Sequence, residues 1–255
     1  MIKKILLVLL LAILAGAAYL YSSMLANIPE SRLQLQPAQM VASSEAPVLL
    51  FGATRNTGLE LAKKLHARGE KVVAFVRPTS DRSALEALDA EFLGGDAMDE
   101  ASVIAAAQSQ PFRAVVTTVG CLKCVPPVDF TGNRHIIDAA KTAGIDRVLL
   151  VTTIGAGDSA DVLPLPSKQI LKEILPLKTQ AEDHLRASGV NHIIIRPGGL
   201  LSDQASGKGM LSDAPEAFGY IDRSDLAGLM LACLDSSACD GKTLAAIDSE
   251  RKTYW

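Results

Sequence analysis

Seven residues, Gly52-Ala53-Thr54-Arg55-Asn56-Thr57-Gly58, follow the apolar tetrad Val48-Leu49-Leu50-Phe51 and precede Leu59-Glu60-Leu61-Ala62-Lys63-Lys64-Leu65, whose apolar positions recur at helical spacing. A strand that turns through glycines into a helix presents unpaired backbone N–H groups and the positive end of the helix dipole, chemistry suited to a pyrophosphate. Gly52 permits the tight turn and Gly58 close helix–strand packing. Asn56 stands where the spacing G-x-x-x-G-x-G would place a second glycine, and asparagine is the residue after glycine that most readily takes positive φ. About 20 residues on, where an acid would accept a ribose 2′-hydroxyl, the next apolar run ends Val73-Ala74-Phe75-Val76-Arg77 in a cation. Arg77 and Arg55 together favour a 2′-phosphate held by bidentate guanidinium contacts. The expected cofactor is therefore NADP(H) in preference to NAD(H), with Gly52, Thr54, Arg55, Asn56, Thr57, Gly58 and Arg77 binding it.

Cys121-Leu122-Lys123-Cys124 follows a further apolar run at 114–119. The pair is open to three readings: a redox dithiol that accepts electrons, a disulfide, or two loop cysteines without redox function. Half a zinc site fits less well, because Cys233 and Cys239 have five residues between them and no histidine lies at ligand spacing. No metal is expected. His135, His184 and His192 fall on expected helices or a strand and read as packing or surface residues.

The elements that must position these groups alternate along the chain. Apolar runs of strand length at 48–51, 71–76, 91–93, 114–119, 147–153 and 192–195 are separated by helical patterns at 59–68, 83–88, 101–108, 135–143 and 177–187. Continuous Val, Ile and Leu runs are those of a parallel sheet covered on both faces. The expected fold class is α/β, a doubly wound parallel-sheet Rossmann-type domain over 47–255 with an N-terminal transmembrane helix. The segment 200–219, with Gly207, Gly209, Met210 and Pro215, reads as a mobile substrate-side loop.

The composition agrees. The chain has 255 residues, 49% of them hydrophobic, and a net charge of -3, which excludes disorder and a strongly basic nucleic-acid-binding surface. Mean hydropathy is +0.24 although aromatics make up only 4%, and part of that excess is N-terminal. After Lys3 and Lys4 no charge occurs until Glu30. Residues 5–21, extended to Ala26, rise about 26–33 Å as a helix, enough for a ~30 Å hydrocarbon core. Residues 1–26 are thus expected to be a single-pass membrane anchor; the alternative is a signal peptide cut near Ala15-Gly16-Ala17. The lysines favour a cytoplasmic N-terminus and the expected cofactor a cytoplasmic domain, so the side of the membrane stays open. Residues 27–46 read as a tether.

Over about 48–244 the chain resembles the short-chain dehydrogenase/reductase superfamily, specifically its atypical NAD(P)H-binding, NmrA-like branch of flavin and biliverdin reductase-like proteins. The resemblance rests on the glycine turn, Val76-Arg77, Gly95-Asp96, Val119-Gly120 and Asp138-Ala139-Ala140 before Gly144. It continues through Lys178 with Glu182, Ile195-Arg196-Pro197-Gly198-Gly199 and Ile221-Asp222-Arg223-Ser224-Asp225. It implies Asp96 near the adenine, Val119 and Gly120 near the nicotinamide-side ribose, Pro197 and Gly198 beside the nicotinamide, and Lys178 on its ribose. Active members resemble one another in a Tyr four residues before that Lys; here Ile174 stands there, and the tyrosines are Tyr19, Tyr21, Tyr220 and Tyr254. Thr152 and Thr153 occupy the place of the family's Ser, so Lys178 and Thr153 are the catalytic candidates.

These readings converge on an NAD(P)H-dependent oxidoreductase without the usual proton donor, transferring hydride to a flat or conjugated acceptor of flavin or quinone type. The alternative is a non-catalytic NADP(H)-binding sensor or assembly factor of a membrane protein complex. A nucleotide-sugar epimerase is a weaker third, because the same Tyr is missing. No nucleic-acid partner is expected.

Overall fold

The computed structural model describes residues 2–35 and 46–253. Helix α1 (Ile2–Ser23) is followed by β1 (Val48–Phe51), α2 (Asn56–Ala67), β2 (Val72–Val76), α3 (Ser83–Glu86), β3 (Glu91–Gly94), α4 (Glu100–Ala107), β4 (Ala114–Thr117) and α5 (Thr131–Thr142). The second half carries β5 (Arg147–Val151), α6 (Leu165–Leu171), α7 (Leu175–Ala187), β6 (Asn191–Pro197), β7 (Gly199–Leu201), β8 (Gly209–Ser212), β9 (Tyr220–Asp222), α8 (Arg223–Leu234) and β10 (Lys242–Asp248).

The main sheet has the order β3-β2-β1-β4-β5-β6-β10-β8. All its pairings are parallel except that of β8 with β10. Successive side chains of a strand point to opposite faces, and the two faces make two cores. Val48, Leu50, Val72 and Ala74 share one with Leu61, Leu65, Leu226 and Met230 of α2 and α8. Leu49, Phe51, Val73 and Phe75 share the other with Val103, Ile136, Ile137 and Leu185 of α4, α5 and α7. Each buried Val, Leu, Ile, Phe or Met side chain contributes about 1.5–3 kcal/mol on leaving water, and β1 and β2 accordingly consist of apolar residues alone. The strand order reverses between β1 and β4, so a crevice opens at their carboxyl ends, where α/β sheets bind ligands.

One expectation is left without support, and two segments are placed differently from their sequence reading. Among the described residues, no helix is long and apolar enough to cross a membrane, so the single-pass anchor is without support. The described part of the tether is docked. Asn27 and Phe218 exchange backbone hydrogen bonds of 2.7 and 3.0 Å, Leu33 N donates to Leu211 O at 2.8 Å, and Ile28, Leu33 and Leu35 pack on the cores. Those partners lie far along the chain, so no local periodicity betrays them; residues 36–45 fall outside the described set. The segment 200–219 is not one loop, because β8 pairs with β10 and buries Met210 and Leu211.

Candidate functional site

The crevice is a cleft of about 640 Å³ lined by residues from the carboxyl ends of β1, β2, β4 and β5 and the loops beyond them. Its floor is the glycine turn. Gly52 takes φ +86, and a Cβ there would lie 2.6 Å from Thr118 Oγ1; a Cβ on Gly58 would lie 2.3 Å from the Gly52 carbonyl oxygen. Only glycine fits either position, as the turn and the close helix–strand approach require. Asn56 adopts φ 53 and opens α2, with its neighbour Arg55 in extended conformation before it. Thr54, Arg55, Asn56 and Thr57 all line the cleft.

At one end stand Phe75, Arg77, Ser80, Asp96 and Met98. Arg55 and Arg77 are exposed, and among the described residues neither pairs with a carboxylate. Asp96 Oδ1 accepts from Met98 N at 2.9 Å, which fixes the turn after β3.

At the other end Val119, Gly120, Cys121, Cys124, Asp129, Thr152, Thr153 and Lys178 come together. Lys178 Nζ lies 2.9 Å from Asp129 Oδ1, and Asp129 Oδ2 accepts from Cys121 N at 3.0 Å. Cys121–Cys124 and Cys233–Cys239 are both disulfides, which leaves no thiolate pair for a metal. Thr152 is engaged inward: its Oγ1 donates to Glu182 Oε1 at 2.6 Å. Arg196 grips the same carboxylate through Nε at 3.0 Å and Nη2 at 2.6 Å and also donates to Asp158. Burial opposes the Arg196 charge, but its bonds to Glu182 and Asp158 outweigh that and raise its pKa. The Thr153 side chain remains on the cleft wall.

The structure places most of the expected residues around one space, with exceptions. Pro197 and Gly198 do not line it; a Cβ on Gly198 would meet the Gly219 carbonyl oxygen at 2.2 Å, so this glycine serves close approach of two backbones. Gly58 lies beneath the turn rather than at its surface. Tyr220 supplies no proton donor, because burial raises its pKa and its hydroxyl donates to Met24 O at 2.7 Å, away from the cleft. Tyr254 lies outside the described residues. Sequence reasoning missed Asp129 and Arg223, both in the lining. Arg223 was visible only as part of a motif, and Asp129 carried no signal besides its closeness to the cysteine pair.

The sequence profile of a family described as NAD(P)H-binding matches residues 52–237. The chain is 30% identical over 202 residues to YhfK of Bacillus subtilis (strain 168), named as an uncharacterized sugar epimerase, covering 76% of this chain and 91% of that protein. It is 27% identical over 238 residues to the sanguinarine reductase of Eschscholzia californica, covering 76% and 86% of the two chains. Among solved structures, the anaerobillin reductase ChuY of Escherichia coli O157:H7 superposes with a TM-score of 0.74 at 31% identity, over 80% of this chain and 98% of that one. A profile that spans most of the α/β fold, together with a glycine-lined crevice at the switch point, makes the assignment: the chain belongs to the NAD(P)H-binding family, in keeping with the NmrA-like branch of the atypical short-chain dehydrogenases/reductases.

Proposed function

We propose that the protein is an NADP(H)-dependent reductase that acts on a flat or conjugated acceptor of the flavin or quinone class. The observation that carries this reading is one continuous cleft that joins the glycine turn, two exposed arginines and Lys178, with no tyrosine among the described residues that line it. Two of the relatives are named as reductases, of anaerobillin and of sanguinarine, which supports reduction over the other activities of the fold.

The residues present fit a dinucleotide, since the glycines at 52 and 58 let the turn close against its neighbours and leave residues 52–57 lining the cleft. The backbone of Gly52 to Gly58 and the start of α2 would hold the pyrophosphate. Arg77 and Arg55 would hold a 2′-phosphate, Asp96 would border the adenine side, and Val119, Gly120 and Lys178 the nicotinamide ribose. A bound nicotinamide would supply the hydride. Lys178 is ion-paired with Asp129 and Thr152 donates to Glu182, so both are engaged within the protein and the reading asks neither for a proton; Thr153 is left to orient the acceptor. A flavin or quinone tolerates this, because solvent can protonate it.

One observation favours a second reading, a non-catalytic NADP(H)-binding sensor or assembly factor: the groups nearest the expected reaction end are tied up within the protein. Epimerisation, the activity in the YhfK name, suits the cleft less well because no tyrosine lines it among the described residues. The test is the full chain with NADPH and a panel of flavins, quinones and aldehydes, followed by loss of reduced-nicotinamide absorbance. Oxidation with flavins or quinones above background upholds the reductase. Binding without oxidation upholds the sensor, and no binding defeats both.

A further inference from the structure

The cleft extends past Thr153 to Leu200 and Arg223, and the dinucleotide reading gives Arg223 no task. Its position follows from the small parallel sheet, in which Leu201 of β7 lies opposite Asp222 of β9. Ser202 and Arg223 each stand one residue past the end of their strand, side by side. Arg223 Nη1 donates to Ser202 Oγ at 2.6 Å, which holds the guanidinium in one orientation. Its Nε is buried and has no hydrogen-bond partner.

Among the described residues, no carboxylate pairs with Arg223. The carboxylate next to it makes no ion pair with it: Asp222 Oδ1 accepts from Ser224 N at 2.7 Å and caps α8, and the buried Oδ2 has no hydrogen-bond partner. By contrast, Arg196 is matched by Glu182 and Asp158. A guanidinium fork with a buried N–H left over is costly unless an acceptor completes it. Arg223 opens α8, which shares an apolar core with α2 through Leu226, Ala227 and Met230 against Leu61, Ala62 and Leu65. Asn56, Thr57 and Arg223 accordingly line one space.

We propose that Arg223 binds a phosphate oxygen of the ligand in this cleft, as an anion-binding point additional to the glycine turn. The inference rests on the dinucleotide reading of the cleft. The phosphate has two sources, the pyrophosphate of the dinucleotide or a phosphate carried by the acceptor, and the geometry asks of both only an oxyanion that fits a planar fork.

The experiment compares the full-length protein with Arg223→Gln, Arg223→Lys and Ser202→Ala. It reads thermal stabilisation by inorganic pyrophosphate, the Kd of NADPH and NADH, and the KM of FMN against riboflavin, which lacks the phosphate. Arg223→Gln is expected to abolish most of the pyrophosphate stabilisation, Arg223→Lys to restore part of it, and Ser202→Ala, which keeps the charge but frees its orientation, to fall between. If the dinucleotide is the source, Kd rises about tenfold for NADPH and NADH alike. If the acceptor is the source, both Kd values hold and KM rises about tenfold for FMN and not for riboflavin. Variants indistinguishable from wild type in all three readouts, or a wild-type protein that pyrophosphate does not stabilise, overturn the proposal. A wild type that pyrophosphate stabilises through Arg223 but that binds no dinucleotide overturns the reading of function and leaves this site standing.

Discussion

Lys178 Nζ approaches Asp129 Oδ1 to 2.9 Å inside the cleft, and that contact is ionic without hydrogen-bond alignment, since the same oxygen has no hydrogen-bond partner. The pair shapes the wall beside it: a Cβ on Gly120 would lie 2.9 Å from Asp129 Oδ1 and 3.0 Å from Lys178 Nζ. Asp129 is fully buried, so removing it strands a nearly buried cation and frees the Cys121 N–H. Asp129→Ala is expected to lower stability by about 3–5 kcal/mol, read from urea unfolding. Asp129→Asn, which keeps an oxygen for that N–H, is expected to cost less; equal losses would show that the charge is irrelevant.

On the proposed reading Arg77 and Arg55 would tell a 2′-phosphate from a 2′-hydroxyl; both line the cleft without an acidic partner among the described residues. Arg77→Ala is expected to weaken NADPH binding by about 1.5–3 kcal/mol, roughly 10- to 100-fold, and to leave NADH nearly unchanged. Parallel loss for both dinucleotides would remove Arg77 from the specificity account.

Much of this architecture was legible before the structure, and the parts that were not share a cause. The strand at 48–51 and the turn at Gly52–Gly58 are local signals, in which burial, helix start and glycine geometry are written in consecutive residues, and even the positive φ of Asn56 follows from its side chain. The pairing of β8 with β10, the docking of residues 27–35 on Phe218 and Leu211 and the placement of Asp129 and Arg223 are long-range. Gly207, Gly209 and Pro215 read as loop punctuation although Met210 and Leu211 are core residues. The apolar N-terminal run was read as a span from its hydropathy, its lack of charge and its length, and among the described residues the structure gives that span no support.

The two disulfides differ in setting. Cys121–Cys124 lies on the cleft, next to Val125, which is 96% exposed, and it restrains the segment whose N–H binds Asp129. Ordering one residue costs about 1–2 kcal/mol, so Cys121→Ser with Cys124→Ser, or mild reduction, is expected to weaken NADPH binding by up to about tenfold with little change in stability. Cys233–Cys239 is buried at the end of α8, and its removal is expected to cost about 2 kcal/mol of stability and to leave binding alone. Unfolding curves and NADPH titrations with and without dithiothreitol separate the two.

His192 of β6 is held below its ordinary pKa of 6.5 by burial, with repulsion from Arg186 adding to it. The unfolded chain therefore takes up a proton that the folded one resists, so stability falls as pH drops below about 6.5 and levels off once the depressed value is passed. His192→Gln is expected to flatten the pH dependence of stability in that window. A wild-type profile that stays flat from pH 7 to 5 would contradict the assignment.

The measurement that bears most directly on the central claim is calorimetric titration of the full-length protein with NADPH and with NADH. The cleft geometry predicts saturable one-to-one binding of both, with NADPH the tighter and Arg77→Ala bringing the two together. Absence of binding heat and of thermal stabilisation by either dinucleotide would contradict it.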